Sequence, residues 1–154
     1  PQGNLNEVSA KGNEEATDGD VIAGMYPDIS TEPWAEYRVA LDESGLTGDG
    51  LDYNSLGGMG TWAAYVAFTQ IAETIEGDIT AESFYNAANT TTSLDLGGMV
   101  PVLDFTNEWT DGLEGYNRLF NRSVVFSVLE GGKVVPLTTE FEDVSDLAMG
   151  VAPG

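Results

Sequence analysis

Residues 18–27, with the sequence DGDVIAGMYP, place a compact apolar run between an aspartate-glycine turn and a proline. A short apolar run bounded by turn residues is typical of a buried β-strand. We therefore predict a buried strand at Val21–Tyr26, with turns on both sides of it.

Helices are predicted on the C-terminal side of this strand. Residues 30–33 offer a hydroxyl cap and a first-turn proline, and Gly45 can end the helix just after Ser44. A longer helix with an apolar face is predicted over 55–75, capped at its first residue, and a shorter one over 80–88.

Three glycines weaken the first turns of the long helix. Gly57, Gly58 and Gly60 each cost up to about 1 kcal/mol relative to alanine. A glycine-rich helix start can cradle an anion, but the spacing here lacks the pattern of the known phosphate loops. We therefore expect close packing of another backbone against these glycines.

The second half of the chain is predicted to be richer in β-structure. Asn121–Glu130 alternates, with Val124, Phe126 and Val128 on one face, and Gly131-Gly132 predicts a tight hairpin turn. Further predictions are a strand at Val100–Phe105, an acidic loop at Thr106–Gly115 anchored by Trp109, a returning strand at Lys133–Leu137, and loop or tail at 1–15 and 138–154.

The charge of the chain restricts its partners. Twenty-six acidic residues face five basic ones, which gives a net charge of -21. Such a chain repels phosphate backbones and anionic lipid surfaces, so we do not expect it to bind nucleic acid. The acidic residues are expected to form a solvated surface.

Catalysis through histidine or cysteine is also excluded, because the chain contains neither residue. The remaining catalytic chemistry needs two carboxylates, and Asp18 with Asp20, Glu14 with Glu15, and Asp49 with Asp52 are the candidates. A calcium loop at 49–54 lacks the spacing and the closing glutamate of an EF-hand. We interpret these acids as surface residues and expect no enzymatic activity, no metal and no cofactor.

Two tyrosines are the best candidates for ligand contact. Tyr26 ends the predicted strand, and Tyr53 stands just before the long helix. Ligand clefts in α/β proteins form at the carboxyl ends of strands and near helix starts. Aromatic rings there can bind apolar or cationic groups, although both tyrosines fit equally well as packing residues.

The order of these segments resembles a known family. The acid-glycine-strand run at 18–22, the glycine-containing helix start at 53–64, the Gly-Gly-x-x-Pro segment at 96–105 and the closing hairpin at 126–135 together resemble the type I periplasmic solute-binding proteins of ABC importers, such as the leucine/isoleucine/valine-binding proteins. The resemblance covers residues 16–137.

The resemblance implies an α/β fold with two three-layer α/β/α lobes that close on a small solute. This chain matches only the C-terminal portion, as a single segment (residues 1–154) that contributes to both lobes, so the family implies a missing N-terminal portion. That portion would carry the export signal or a lipoprotein anchor, since residues 1–4 are polar and uncharged.

The resemblance also implies partners and a site. The partners are a small polar solute, such as an amino acid, and the membrane subunits of an ABC importer, and the location is periplasmic or extracellular. Asp18 occupies the position of an acid that pairs with the ammonium group of the ligand, although it is one carbon shorter than the usual glutamate. A ligand-sensing regulatory domain of the same fold is the first alternative. A carboxylate-based hydrolase and a purely structural acidic domain are the others.

Overall fold

The computed structural model describes residues 5–45, 53 and 55–151. The chain forms two compact units, Pro1–Trp62 with Val124–Phe141 and Ala63–Ser123 with Glu142–Gly154. The fold is mixed α/β, as predicted. The helices are α1 (Glu7–Ala10), α2 (Glu14–Thr17), α3 (Ala35–Ser44), α4 (Leu56–Glu73), α5 (Ala81–Thr90) and α6 (Ser145–Ala148), and the strands are β1 (Val21–Gly24), β2 (Ser123–Glu130), β3 (Lys133–Pro136) and β4 (Glu142–Asp143).

The strands form an open antiparallel sheet in which β1, β2 and β3 lie side by side in that order, and β4 also pairs with β2. Ala23 lies opposite Phe126, and Val128 lies opposite Val135. The predicted hairpin between β2 and β3 is confirmed. Its turn residues Gly131 and Gly132 have φ angles of 57° and 78°, the positive values that a type I′ turn requires.

Strand β1 is found where it was predicted, but the expectation of full burial is wrong. Ile22 is buried, whereas Val21 is 60% exposed. An antiparallel sheet can leave one face in solvent, so burial alternates along its strands. The covered face meets α1, where Ala10, Ile22 and Leu129 form a buried core.

The same sheet face explains the burial of β2. Val125 and Leu129 are its most buried residues, and both point to the face opposite to the predicted set of Val124, Phe126 and Val128, because side chains alternate along a strand. The predicted set shares a face but is only half-buried.

Helix α3 follows a 3-10 turn at Glu32–Trp34 and ends at Gly45, whose φ of 64° is left-handed. The predicted glycine cap is therefore confirmed. The predicted hydroxyl cap is wrong for Thr31, because its side chain makes no capping hydrogen bond to the helix. The Thr31 hydroxyl instead donates to the carbonyl oxygen of Asp28 at 2.6 Å.

The start of α4 confirms the expectation that its glycines allow close packing. The hydroxyl of Ser55 accepts a hydrogen bond from the backbone N–H of Gly58 at 3.2 Å, as an N-cap does. A Cβ on Gly58 would lie 2.7 Å from the Tyr37 hydroxyl oxygen and 2.9 Å from the Tyr53 carbonyl oxygen. Only glycine fits between these groups.

The second unit contains α5 and an irregular, well-packed region. Thr80 and Ser83 form a capping box at the start of α5, so the predicted cap is confirmed. Phe68 and Phe84 stack with their ring centroids 4.7 Å apart. Trp109 is 6% exposed, which confirms its predicted role as the anchor of the acidic loop.

The predicted strand at Val100–Phe105 is wrong. In its place, a single antiparallel bridge joins Leu94 to Leu103. Gly97 and Gly98 have positive φ angles of 66° and 85°, which turn the chain, and Pro101 has no N–H to donate to a ladder. The segments expected to be loop or tail, 1–15 and 138–154, contain α1, β4, α6 and the start of α2.

Candidate functional site

Four aromatic side chains form a continuous cluster in the first unit. Tyr26, Trp34, Tyr37 and Trp62, the aromatic cluster, contact one another in that order, with centroid separations of 5.6, 5.9 and 5.4 Å. The first two contacts are edge-to-face, an arrangement that aromatic quadrupoles favour. The cluster lies after the carboxyl end of β1, where α3 and α4 begin.

Two hydrogen bonds fix the inner part of the aromatic cluster. Trp34 is fully buried, and its Nε1–H donates to the carbonyl oxygen of Pro27 at 3.0 Å. The hydroxyl of Tyr37 donates to the carbonyl oxygen of Tyr53 at 3.3 Å. The rings are therefore held by the backbone on both sides, which gives the cluster a defined shape.

The structure brings the two predicted tyrosines to the same helix start. A Cβ on Gly60 would lie 3.2 Å from the Tyr26 hydroxyl oxygen, and a Cβ on Gly58 would lie 2.9 Å from the Tyr53 carbonyl oxygen. Burial raises the pKa of the Tyr26 hydroxyl above its ordinary value, so this hydroxyl stays neutral at physiological pH. It can act as a hydrogen-bond donor beside the glycines of α4.

Tyr26 also lines a small cavity. Its volume is about 20 Å³, and its walls include Ile22, Tyr26, Asp28 and Ser127. A cavity of this size holds about one water molecule, whereas pockets for small ligands measure roughly 300–1,000 Å³. This cavity is therefore too small for a solute. A ligand that contacts Tyr26 would have to lie outside it.

Asp18 is not brought together with the tyrosines. It precedes β1 and Tyr26 follows it, so the length of the strand, about 13 Å at about 3.3 Å per residue, separates the two positions. The Asp18 carboxylate accepts a hydrogen bond from the backbone N–H of Gly131 at 2.7 Å. Asp18 thus joins the start of β1 to the turn of the β2–β3 hairpin.

We expect the replacement of Asp18 by alanine to lower the free energy of unfolding by about 1 kcal/mol, because a hydrogen bond from a turn N–H to a carboxylate is lost at an exposed site. Urea denaturation followed by circular dichroism measures the change. Asp20→Ala is the matched control, because Asp20 contributes its carbonyl oxygen and not its side chain to the pairing with Leu129. Equal losses in the two variants would contradict a role for the Asp18 side chain in the turn.

Several carboxylates have a lowered pKa, each through a local hydrogen bond. The Thr106 hydroxyl lowers the pKa of Asp104, the Ser145 hydroxyl lowers that of Asp143, and the backbone N–H of Gly12 lowers that of Glu14. A general acid needs a raised pKa. These three groups are therefore unsuited to donating a proton at neutral pH.

The other predicted sites are less informative. In the candidate calcium loop, residues 49–52 and 54 lie outside the described residues. Within the ranges that the structure describes, no group of three or more acidic residues converges in a way that could hold a metal ion. In the same ranges, no helix combines the length and apolar character needed to cross a bilayer.

The sequence interpretation missed most of the aromatic cluster. Of the four rings it predicts a ligand contact only for Tyr26, and its other candidate, Tyr53, contacts the cluster through its carbonyl oxygen. The available signal was the spacing of Trp34 and Tyr37, which puts both rings on one helical face directly after the strand that ends near Tyr26.

Comparison with known proteins finds no matching family model, no similar curated protein and no similar solved structure.

Proposed function

We propose that this chain belongs to an extracytoplasmic protein that binds a small polar solute, such as an amino acid, and delivers it to an ABC importer. The observation that carries the proposal is the aromatic cluster at the carboxyl end of β1. Two of its rings, those of Trp34 and Tyr37, are fixed by hydrogen bonds to the backbone, and the cluster lies where β1 ends and α3 and α4 begin. Small-ligand sites are typically lined by aromatic side chains with a few polar groups.

The resemblance to the leucine/isoleucine/valine-binding proteins also supports the proposal. Of the segments that carry it, 18–22 leads into β1, 53–64 contains the start of α4 and 126–135 lies in the β2–β3 hairpin, whereas 96–105 forms no strand. In the proposed protein, each of the two lobes has three layers in the order α/β/α. The aromatic cluster supplies one wall of the ligand site between them. The other wall comes from the N-terminal portion of the same protein, outside this chain.

The chemistry of the aromatic cluster suggests what it binds. Tyr26 and Trp62 are partly exposed, and aromatic rings attract apolar groups and ammonium groups. A zwitterionic amino acid with an apolar side chain combines these groups.

A thermal-shift screen against branched-chain and aromatic amino acids, their amides and small aromatic acids tests the proposal. A ligand at about 100 times its dissociation constant stabilises the fold by about 2.7 kcal/mol, which raises the melting temperature measurably. We expect amino acids to give the largest shift. A cooperative melt that none of these solutes changes would show that the aromatic cluster does not bind them without the other wall of the site.

Substitutions test which residues bind the ligand. Tyr26→Leu keeps an apolar side chain but removes the aromatic ring and its hydroxyl, and we expect it to weaken binding of the ligand that the screen identifies. Tyr85→Leu is the matched control, because Tyr85 is 64% exposed on α5 and outside the aromatic cluster. Asp18→Asn separates the two predicted parts of the site: unchanged affinity assigns binding to the aromatic cluster alone, and lost affinity adds Asp18.

A further inference from the structure

Helix α3 presents an apolar strip with acidic edges on its outer side. The strip is a shallow, open concavity of about 330 Å³ lined by Ala35, Glu36, Val39, Ala40 and Glu43. Val39 is 55% exposed, although most exposed positions of a surface helix are polar. The alanines leave room for another chain to approach closely.

These residues fit one step of a coiled-coil seam with acids around it. Ala35 and Val39 are four apart, as successive d and a positions are, Glu36 and Glu43 are seven apart at the adjacent e position, and Asp42 occupies the next d position. Seven residues of helix rise about 10.5 Å. In coiled coils, apolar a and d residues pack into the partner, and charges at e and g select the partner by ion pairing.

The charges of this strip are available to a partner. Among the described residues, no basic side chain forms an ion pair with Glu36 or Glu43. Arg38 lies on the same helix, but its guanidinium donates to the carbonyl oxygens of Ile29 and Thr31 at 2.6 and 2.7 Å. The basic group nearest in sequence is therefore committed to the segment that precedes α3.

We propose that the outer face of α3 docks a basic α-helical segment of a partner protein. That segment carries lysine or arginine at two positions seven residues apart and an apolar side chain between them, which fits between Ala35 and Val39. Charge complementarity favours a basic partner on this strip. The acidic edges repel an anionic surface, and a second copy of the strip would bring like charges together. The inference does not depend on solute binding at the aromatic cluster.

Binding of a labelled synthetic helical peptide, measured by fluorescence anisotropy on the whole chain, tests the proposal. The peptide carries lysines seven positions apart with leucine between them, and the control peptide has the same composition with the lysines on opposite helix faces. We expect the first peptide to bind at least fivefold more tightly than the control. We also expect its affinity to fall as salt is added, because exposed charges are screened.

Matched variants separate docking from general attraction to an acidic protein. Glu36→Gln/Glu43→Gln removes the two edge charges, and we expect a fivefold to tenfold loss of affinity, as two exposed ion pairs provide. Glu114→Gln/Glu140→Gln changes the net charge equally at exposed positions elsewhere and should leave the affinity within twofold. Val39→Asn removes the apolar contact and should also weaken binding, while Val21→Asn should not.

The proposal is overturned if both double variants reduce the affinity for the peptide equally, if the two peptides bind with equal affinity, or if neither peptide binds. Sedimentation of the chain alone checks for a second copy as the occupant. Self-association that Val39→Asn abolishes would assign the strip to a dimer contact and would overturn the proposal.

Discussion

Replacing Trp34 by alanine is expected to lower the free energy of unfolding by about 3–5 kcal/mol, the usual cost of deleting a large buried aromatic side chain. Trp34 is completely buried, and its ring contacts both Tyr26 and Tyr37. A loss of this size is a large part of the roughly 5–15 kcal/mol that stabilises a typical domain. Urea denaturation followed by far-ultraviolet circular dichroism measures it.

Two further variants separate the contributions of Trp34. Trp34→Phe keeps a ring but removes the Nε1–H, and the carbonyl oxygen of Pro27 loses its partner. We expect an intermediate loss, because an unpaired buried polar group costs about 1–3 kcal/mol. Trp62→Ala is the control at the half-buried end of the aromatic cluster and should cost less than Trp34→Ala. Comparable small losses in all three variants would contradict the central position of Trp34.

Features set by neighbouring residues could be predicted from the sequence. The end of α3 at Gly45, the start of α5 at Thr80 and the Gly131-Gly132 turn each depend on a few adjacent positions. Caps and tight turns need particular backbone angles and side-chain acceptors, and few residue types supply them. The local sequence is then sufficient.

Features set by distant partners could not be predicted. The burial of β1 depends on its pairing with β2, about a hundred residues later, because sheet position and covered face decide which side chains are buried. The apolar run at Val100–Phe105 has the local pattern of a strand, but in the structure it forms only the bridge between Leu94 and Leu103.

The residues of the candidate site also fall into those that the local sequence indicates and those whose contacts depend on distant residues. Tyr26 and Tyr53 were selected because of their places next to a strand and a helix, and the structure puts both against the first turns of α4. Asp18 was selected through a resemblance to a family, and its partner in the structure is Gly131, which is 113 residues away along the chain. No local sequence pattern predicts a contact over that separation.

The glycines of α4 provide the sharpest test of how the aromatic cluster is built. Gly58→Ala is expected to lower the free energy of unfolding by about 1–3 kcal/mol, the usual cost of overpacking, because its Cβ would lie 2.7 Å from the Tyr37 hydroxyl oxygen and 2.9 Å from the Tyr53 carbonyl oxygen. The backbone carbonyl cannot swing aside as a flexible side chain can. The Tyr37–Tyr53 hydrogen bond should break, and near-ultraviolet circular dichroism should report the altered ring packing.

Gly57→Ala is the matched control one residue earlier. The nearest atom to its added Cβ is the Ser55 hydroxyl oxygen at 3.7 Å, an ordinary contact distance. This variant should be neutral or more stable by up to about 1 kcal/mol, because alanine favours the helix over glycine. Opposite effects from the same substitution at adjacent positions can arise only from what each glycine contacts. Equal effects would mean that α4 does not need the close approach of Tyr37 and Tyr53. The hydrogen bond between these two residues would then not be what holds Tyr37 in the aromatic cluster.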